Sequence, residues 1–355
     1  MRWIFLVLLS PVAFAQADPF AALDRNKDGK LTLAEVPEAA RPHFRSVDAN
    51  GDGLVTKEEL LKSLPMAPEA AAASGDLIKD LDYVGKNNPR QKLDLLVPKD
   101  HATKKRPLVI FIHGGGWLSG RKEDGHGVIR TIAATGDYVA ATVNYRLTRE
   151  AAWPAQIHDC KAAVRFLRGN ADRYGIDSGR VGVMGISAGG HLVSVLGTTG
   201  GVSSLEGDLG TFPELSSRVQ CVVNFFGPTN FLTFYGKDTS PGRIRDADMI
   251  GPLLGRDETN LLANAKSASP VSWVSKDDAP FLTAHGTNDT LVPYAQAKEI
   301  DAALAEAGVE SHLIEMTGAG HGFDSSDLNL RIKLFLDKHL HGRPGSISEE
   351  PIRVR

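Results

Sequence analysis

The chain lacks a strong excess of charge of either sign. Its 355 residues include 40 Lys and Arg and 43 Asp and Glu, which gives a formal net charge of -3 at pH 7. Proteins that bind nucleic acid usually carry a basic domain or a basic patch. With no broad basic field to attract a polyanion, neither nucleic acid nor another anionic polymer is an expected partner.

Cysteine is also scarce. Only Cys160 and Cys221 are present, which is too few for the disulfide framework that stabilises small secreted domains. Both lie in segments with the pattern of buried structure, so two inert core thiols are the simpler interpretation. A Cys160–Cys221 bridge stays open as the alternative, because an oxidising compartment would permit it.

Long hydrophobic runs are missing apart from one short stretch at the start. The first fifteen residues, MRWIFLVLLSPVAFA, contain one Arg, an apolar stretch and then Ala13-Phe14-Ala15. This order is typical of a secretory signal peptide, which predicts cleavage after Ala15. The stretch is too short to span a bilayer comfortably. We therefore expect residues 1–15 to be a signal peptide and the mature protein to be secreted or periplasmic, with no membrane span.

Two Asp-rich segments near the N-terminus share one pattern. DRNKDGKLTLAE (24–35) and DANGDGLVTKEE (48–59) each match the EF-hand calcium loop D-x-[DN]-x-[DN]-G-x₅-E at every position. A surface loop can match part of this pattern by chance, but two full matches are specific. They predict a small all-α EF-hand pair over residues 18–64, with calcium as a structural cofactor.

Loop position assigns the calcium ligands. The first loop would use Asp24, Asn26, Asp28, Glu35 and the carbonyl of Lys30, and the second Asp48, Asn50, Asp52, Glu59 and the carbonyl of Leu54. The Ala- and Pro-rich residues 65–76 follow without apolar periodicity and are predicted to be a linker.

From residue 77 to 341, short apolar runs alternate with helical segments. The runs are PLVIFIHG (107–114), YVAATVNY (138–145), RVGVMG (180–185), VQCVVNFFG (219–227) and PFLTAHG (280–286). Runs that are apolar on both faces and separated by helices indicate a mostly parallel sheet covered on both sides. The pattern predicts an α/β domain. Residues 231–270 lack periodicity and are predicted to be an insertion at one end of the sheet, and residues 342–355 a mobile tail.

The motif GISAG, residues 185–189, lies between a predicted strand and a predicted helix. In this context G-x-S-x-G forms a sharp turn that exposes the serine hydroxyl above the sheet. The helix N-terminus behind Ser187 also favours negative charge on a substrate oxygen. Ser187 is therefore a candidate nucleophile, although the pentapeptide alone is also compatible with an ordinary Gly-rich turn.

A serine nucleophile needs a base and a carboxylate that orients the base. Asp289 follows one predicted strand in HGTNDTLVP, and His321 lies in a Gly-rich loop after another, in GAGHGF. The chain order Ser187, Asp289, His321 is the order expected on this type of sheet. Asp277 and Asp278 are weaker candidates for the acid, because they precede their strand.

The loop HGGGW, residues 113–117, follows a predicted strand and is a candidate oxyanion hole. The expected donors are the N–H groups of Gly115, Gly116 and Ala188, and His113 is expected to orient the loop. Trp117 either lies in the core or lines an acyl pocket, and both readings stay open. The remaining histidines of the helices and strands, His158, His191 and His285, are expected to be structural.

Together HGGGW, GISAGGH, HGTNDTLVP and GAGHGF resemble the α/β-hydrolase superfamily, in its carbohydrate esterase and feruloyl esterase-like branch near the hormone-sensitive-lipase-type esterases. The resemblance covers residues 77–340. It implies an eight-stranded, mostly parallel sheet and a serine esterase that acts through an acyl-enzyme and needs no cofactor for catalysis. We expect a short-acyl ester of a small molecule or polysaccharide, because residues 231–250 do not supply the extended apolar lid that long-chain lipids need. Related sequences include acetyl, feruloyl and general carboxyl esterases, so the acyl group stays open.

Two further hypotheses compete with the esterase. The same three residues serve amidases and peptidases, and kynurenine formamidases share the HGG-x-W loop. A calcium-dependent binding protein with an inactive hydrolase domain is the alternative from another class, and the complete set Ser187, Asp289 and His321 argues against it.

Overall fold

The structure is a computed structural model, and it describes residues 26–36, 44, 48, 50–56, 59, 75–236, 240–255, 257 and 259–354. The predicted signal peptide 1–15, the calcium ligand Asp24 and residues 65–74 of the predicted linker lie outside the described residues. Among the described residues, no helix has the length and apolarity needed to cross a membrane.

The N-terminal region contains a two-stranded antiparallel ladder. Strand β1 (Lys30–Leu31) pairs with β2 (Val55–Thr56), so that Leu31 lies opposite Val55. Leu31 and Val55 are buried together with Phe44. The two predicted calcium loops are therefore tied to each other by their own backbone and share a small apolar core.

Nine strands form the sheet of the larger domain. They are β3 (Gly75–Asp82), β4 (Lys92–Pro98), β5 (Arg106–Ile112), β6 (Val139–Val143), β7 (Ile176–Ile186), β8 (Cys221–Phe225), β9 (Phe281–Gly286), β10 (Ser311–Thr317) and β11 (Ile352–Arg353). Their order across the sheet is β11-β10-β9-β8-β7-β5-β6-β4-β3. Only β4 pairs antiparallel, with β3 and β6. The predicted mostly parallel sheet is confirmed.

Helices cover both faces of this sheet. In chain order they are α1 (His126–Ala133), α2 (Ala155–Gly169), α3 (Ala171–Tyr174), α4 (Ala188–Thr198), α5 (Ser203–Glu206), α6 (Pro241–Arg245), α7 (Ile250–Leu254), α8 (Leu261–Ala268), α9 (Ala295–Glu306) and α10 (Ser326–His341). Apolar residues of α2, α4 and α9 pack on one face, and those of α1 and α10 on the other. Every residue of β5, β6, β8 and β9 is buried as a result.

The two cysteines are free and buried on opposite faces of the sheet. Cys160 belongs to the core on the α2 side, and Cys221 to the core on the α10 side. Because the sheet separates them, the alternative of a Cys160–Cys221 bridge does not hold.

The structure differs from the predicted organisation in three details. Gly75 and Asp76, assigned to the linker, begin β3 and pair with Pro98 and Val97. Residues 231–270 are not purely irregular, because they contain α6, α7 and α8. The sheet also has a ninth strand beyond the eight that the resemblance implied, because β11 pairs in parallel with β10.

Residues 342–355 are predicted to be a mobile tail, but Ile347 and Ile352 are buried and β11 pairs with β10 at the edge of the sheet. Arg331, on α10, donates from Nη1 to the carbonyls of Ser348 at 2.8 Å and Glu350 at 2.7 Å. Its other nitrogens bond to Asp327. The guanidinium of Arg331 thus holds the tail through its backbone carbonyls. The polar composition of the tail gives no sign of this contact, because the donor lies on α10.

Removing this contact is expected to destabilise the domain. Arg331→Ala deletes two charge-assisted bonds to backbone carbonyls, so we expect unfolding to become easier by about 1–3 kcal/mol. Arg353→Ala, an exposed arginine in the same tail, is the matched control and should change little. Thermal denaturation of both variants measures the difference, and equal melting temperatures would show that Arg331 does not hold the tail.

Candidate active site

Ser187 stands on a sharp turn between β7 and α4. Its backbone has φ 53° and ψ -119°, which is a strained conformation for a residue with a side chain. A β-carbon on Gly189 would lie 2.1 Å from the carbonyl oxygen of Ile112, so only glycine fits there. The Ser187 N–H donates to the carbonyl of Phe225 at 2.9 Å. These contacts lock the turn and leave the hydroxyl partly exposed.

The hydroxyl of Ser187 is the first member of a hydrogen-bonded chain. Ser187 Oγ lies 2.9 Å from Nε2 of His321, and Nδ1 of His321 lies 2.7 Å from Oδ2 of Asp289. The His321 side chain is 17% exposed and that of Asp289 is fully buried. All three residues chosen from the sequence are therefore brought together, in the geometry of a serine nucleophile, a base and its orienting carboxylate.

Asp289 is held ionised by donors from three directions. Its Oδ1 accepts the N–H groups of Leu291 and Val292, each at 2.9 Å, and its Oδ2 accepts His321 and approaches Nε2 of His285 at 3.3 Å. Burial acts to raise the pKa of Asp289, but the bonds from His285, His321 and Val292 outweigh it and hold the pKa well below its usual range.

His285 has a closer connection to the site than the sequence indicated. It is fully buried at the end of β9, and its Nε2 lies 2.9 Å from the carbonyl of Val292 as well as 3.3 Å from Asp289. A carbonyl only accepts, so Nε2 carries the proton and is shared between the two oxygens. His285 was predicted to be structural. Its contacts show which part it supports, namely the loop that carries Asp289.

Phe226 is a second supporting residue that sequence reasoning missed. It follows β8 with φ 41°, an unusual value for an aromatic residue. Its ring packs edge to face against His321, with the centroids 4.6 Å apart. The imidazole is thus held between Asp289 and an aromatic wall, and no local motif in the sequence marks this role.

The loop after β5 approaches Ser187 closely. A β-carbon on Gly114 would lie 3.2 Å from Cβ of Ser187, and Gly115 has φ 110°. Among the described residues, the N–H groups of Gly115, Gly116 and Ala188 make no hydrogen bond, although all three lie in the loop or at the first turn of α4 beside Ser187. They are therefore available as donors to a ligand, as an oxyanion hole requires.

The base of this loop is fixed by His113 and Tyr145. Nδ1 of His113 donates to the carbonyl of Gly114 at 2.7 Å, and the ring stacks on Tyr145 with centroids 4.5 Å apart. Burial lowers the pKa of His113 to about 4. The ring is therefore neutral near pH 7, which agrees with the expectation that His113 orients the loop.

The far end of the loop is anchored by a buried lysine. Nζ of Lys122 lies 2.9 Å from Asp94, 3.0 Å from Asp80 and 2.7 Å from Glu123. Burial acts to lower the pKa of Lys122, but the bonds from these carboxylates raise it. This charged cluster pins residues 120–125 to β4, so the loop is held at both ends.

Trp117 lies in the core, which decides between the two readings of this residue. It is 3% exposed, and its ring packs edge to face on His191 and Phe231. Its backbone φ is 59°, an unusual value for an aromatic residue. His191, whose Nε2 bonds to the carbonyl of Ala268 at 2.6 Å, belongs to the same aromatic cluster and is structural as expected. Trp117 therefore supports the loop from below and is not a surface of the site.

The described residues of the N-terminal loops have the oxygen-rich chemistry that calcium prefers. In the second loop the Asp48 carboxylate accepts the N–H groups of Gly51 and Gly53, and Glu59 accepts those of Asn50 and Thr56. Gly53 has φ 81°, as the sharp turn at the sixth loop position requires. Counting only His, Cys, Asp and Glu, the described residues contain no group of three that could hold a metal ion. The loop pattern also uses Asn side chains, carbonyls and, in the first loop, Asp24.

The fold and the sharp strand-to-helix turn at Ser187 define an α/β-hydrolase, and comparison with known proteins supports this class. The BD-FAE family model matches residues 93–304, so the chain belongs to the BD-FAE family. The EF-hand model matches residues 17–36 and 43–64, which confirms the predicted EF-hand pair.

Two curated relatives from Mycobacterium tuberculosis (strain ATCC 25618 / H37Rv) are named esterase and carboxylic ester hydrolase. Esterase LipC is 33% identical over 68% of this chain and 59% of its own length. Probable carboxylic ester hydrolase LipM is 31% identical over 62% of this chain and 50% of its own length. The chain thus spans between half and three fifths of these relatives.

Solved structures give the same fold. A truncated form of a carbohydrate esterase from gut microbiota is 28% identical with a TM-score of 0.67, over 76% of this chain and 97% of that one. The bifunctional GH43-CE protein of Bacteroides eggerthii is 32% identical with a TM-score of 0.68, over 74% of this chain and 38% of that one.

The lowered pKa of Asp289 predicts a specific dependence of stability on pH. Because the folded state favours the ionised carboxylate, Asp289 contributes stability above its unfolded pKa of about 3.9, and this contribution is lost as the pH falls below that value. Asp289→Asn has no such group to titrate. As the pH falls from about 5 to 3, the unfolding free energy of the wild type should therefore decrease more than that of Asp289→Asn.

Urea denaturation across this pH range measures the difference. Asp277→Asn is the control, because Asp277 is an exposed carboxylate whose side chain accepts no hydrogen bond from the residues that the structure describes. A difference between wild type and Asp289→Asn that stays constant with pH would contradict the view that the surrounding donors favour the charged form.

Proposed function

We propose that this chain is a serine esterase that hydrolyses short-acyl carboxylic esters. The observation that carries the proposal is the hydrogen-bonded chain from Ser187 through His321 to Asp289, next to a loop with free backbone donors. The esterase names of the relatives support the same class of reaction. No cofactor is needed for this chemistry.

In the first half of the reaction, Oγ of Ser187 attacks the ester carbonyl carbon. Nε2 of His321 accepts the hydroxyl proton, and Asp289 keeps the imidazole oriented through Nδ1 and stabilises its positive charge. The carbonyl oxygen becomes negatively charged and is bound by the N–H groups of Gly115, Gly116 and Ala188. Collapse of this intermediate breaks the ester bond, and His321 gives its proton to the leaving alcohol.

In the second half, water replaces the alcohol. His321 removes a proton from the water, the hydroxide attacks the acyl carbon, and the same amides bind the oxygen again. Breakage of the bond to Ser187 releases the carboxylic acid, and the proton returns to Oγ. The side chain of His321 is 17% exposed, whereas that of Asp289 is fully buried. Water can therefore approach the imidazole on its exposed side.

For the substrate we propose an ester of a carbohydrate, of the acetylxylan or feruloyl type. The carbohydrate esterase named among the solved structures supports this choice, since it is 28% identical and is matched over 97% of its length. A secreted or periplasmic location, proposed from the N-terminal segment MRWIFLVLLSPVAFA, would place the enzyme where polysaccharides occur.

Replacement of the nucleophile tests the mechanism. We expect Ser187→Ala to lower kcat on p-nitrophenyl acetate by more than about 10³-fold, because Nε2 of His321 bonds to the hydroxyl of Ser187 and to no other hydroxyl of the described residues. Ser204→Ala, at an exposed position, is the control and should keep full activity. A fluorophosphonate should label Ser187, and mass spectrometry locates the adduct. Near-wild-type turnover by Ser187→Ala would refute the mechanism.

We further propose that the EF-hand pair binds calcium and that the ion stabilises only the small domain. Asn26, Asp28, Glu35 and the carbonyl of Lys30 would hold one ion together with Asp24, and Asp48, Asn50, Asp52, Glu59 and the carbonyl of Leu54 the other. The charge of the ion offsets the repulsion among these carboxylates. The ester chemistry involves no metal.

Chelation separates these two roles. We expect EDTA to leave kcat on p-nitrophenyl acetate unchanged within about twofold, while calcium raises the unfolding temperature of the small domain by binding its folded form. Differential scanning calorimetry and a turnover assay on the full chain, with and without calcium, measure both effects. Loss of turnover in EDTA that calcium restores would show that the ion supports the catalytic domain.

A further inference from the structure

Met249 lies directly over the loop that supplies the oxyanion donors. A β-carbon on Gly116 would lie 2.7 Å from Sδ of Met249, 3.3 Å from its Cγ and 3.8 Å from its Cβ. Three successive atoms of the methionine therefore cover Gly116. Because the N–H of Gly116 is a proposed donor to the substrate carbonyl, Met249 lies beside the space that the substrate occupies.

The backbone of Met249 is held by a buried support. Met249 immediately precedes α7, in which Leu253 and Leu254 are fully buried. The carbonyl of Leu253 accepts the N–H of Trp153 at 2.7 Å, and the indole of Trp153 donates to Ser267. Met249 itself is 36% exposed. A fixed helix thus presents a flexible, exposed thioether to the open side of the site.

The order of the strands indicates which part of an ester meets this side chain. His321 reaches Ser187 from the side of β8, where it packs on Phe226, whereas Gly116 follows β5 on the other side of β7. The leaving alcohol must lie near His321, because Nε2 protonates it. The carbonyl oxygen points to the amides of Gly115, Gly116 and Ala188. The acyl substituent therefore takes the remaining direction, away from His321, on the side of β7 where Met249 borders Gly116.

We propose that Met249 is the specificity-determining residue that limits the length of the acyl group. The inference rests on the proposed esterase function and adds the structural element that selects the acyl chain. The side chain closes the space beyond an acetyl-sized group, so of the two carbohydrate esters proposed above it favours the acetyl type over the feruloyl type. Its thioether gives an apolar surface for the methyl end. A shorter side chain at this position would open that space, and an aromatic ring would narrow it.

Variants of Met249 test the proposal with esters that share one leaving group. For p-nitrophenyl acetate, butyrate and hexanoate, we expect Met249→Ala to raise the ratio of kcat/KM for hexanoate to that for acetate by at least about 10-fold, the effect of one methylene in an apolar pocket. Met249→Phe should lower the ratio. Leu262→Ala, a similarly exposed residue of the same insertion at 43% exposure, should leave the ratio unchanged.

A second series varies the alcohol, with methyl, phenyl and naphthyl acetates. Its preferences should stay the same in Met249→Ala. An unchanged acyl ratio in both Met249 variants would overturn the proposal, and so would a shift that occurs in the alcohol series instead. Wild-type protein that neither cleaves these esters nor reacts with a fluorophosphonate at Ser187 would contradict the proposed function itself, which is a distinct result.

Discussion

The close approach of the backbone at the turn after β7 is the constraint on which the rest of the site depends. Gly189 lies so near to Ile112 that a β-carbon there would be 2.1 Å from its carbonyl oxygen. This contact joins the start of α4 to the end of β5, so the same packing that strains Ser187 to φ 53° also places the HGGGW loop beside it. The proposed nucleophile and the proposed oxyanion donors therefore have one geometric origin, and the strain at Ser187 is maintained by the buried sheet beneath it.

The remaining groups converge because the strands are parallel. Ser187, Asp289 and His321 follow β7, β9 and β10, and the carboxyl ends of these strands share one edge of the sheet. His321 still has to cross the width of two strands to reach Ser187. Asp289 holds one ring nitrogen at 2.7 Å and Phe226 packs against the ring face, so the imidazole is fixed at both its polar and its apolar surface.

Much of this arrangement could be predicted from the sequence, because each motif combines a strand end with a residue of defined chemistry. What could not be predicted depends on contacts between distant segments. The apolar run PFLTAHG indicates only that His285 is buried, and its contact with Asp289 forms when the loop after β9 folds back. Phe226 has no motif. Polar residues 342–355 were expected to be mobile, but Arg331 on α10 supplies bonds to two of their carbonyls. Trp117 is assigned to the core by its 3% exposure and its ring contacts with His191 and Phe231, which come from distant segments of the chain.

The residues proposed for catalysis and the side chain proposed to border the substrate are subject to different constraints in this fold. Asp289 is fully buried, and its two oxygens are surrounded by donors from two loops, so a change there affects both stability and chemistry. Met249 is 36% exposed, and the insertion that carries it is anchored by other residues, the buried Leu253 and Leu254. The side chain of Met249 can vary without disturbing either the edge of the sheet or the sharp turn at Ser187. The proposed reaction therefore depends on motifs that the backbone geometry fixes, whereas the proposed selection of the acyl group depends on a surface side chain that no periodicity reveals.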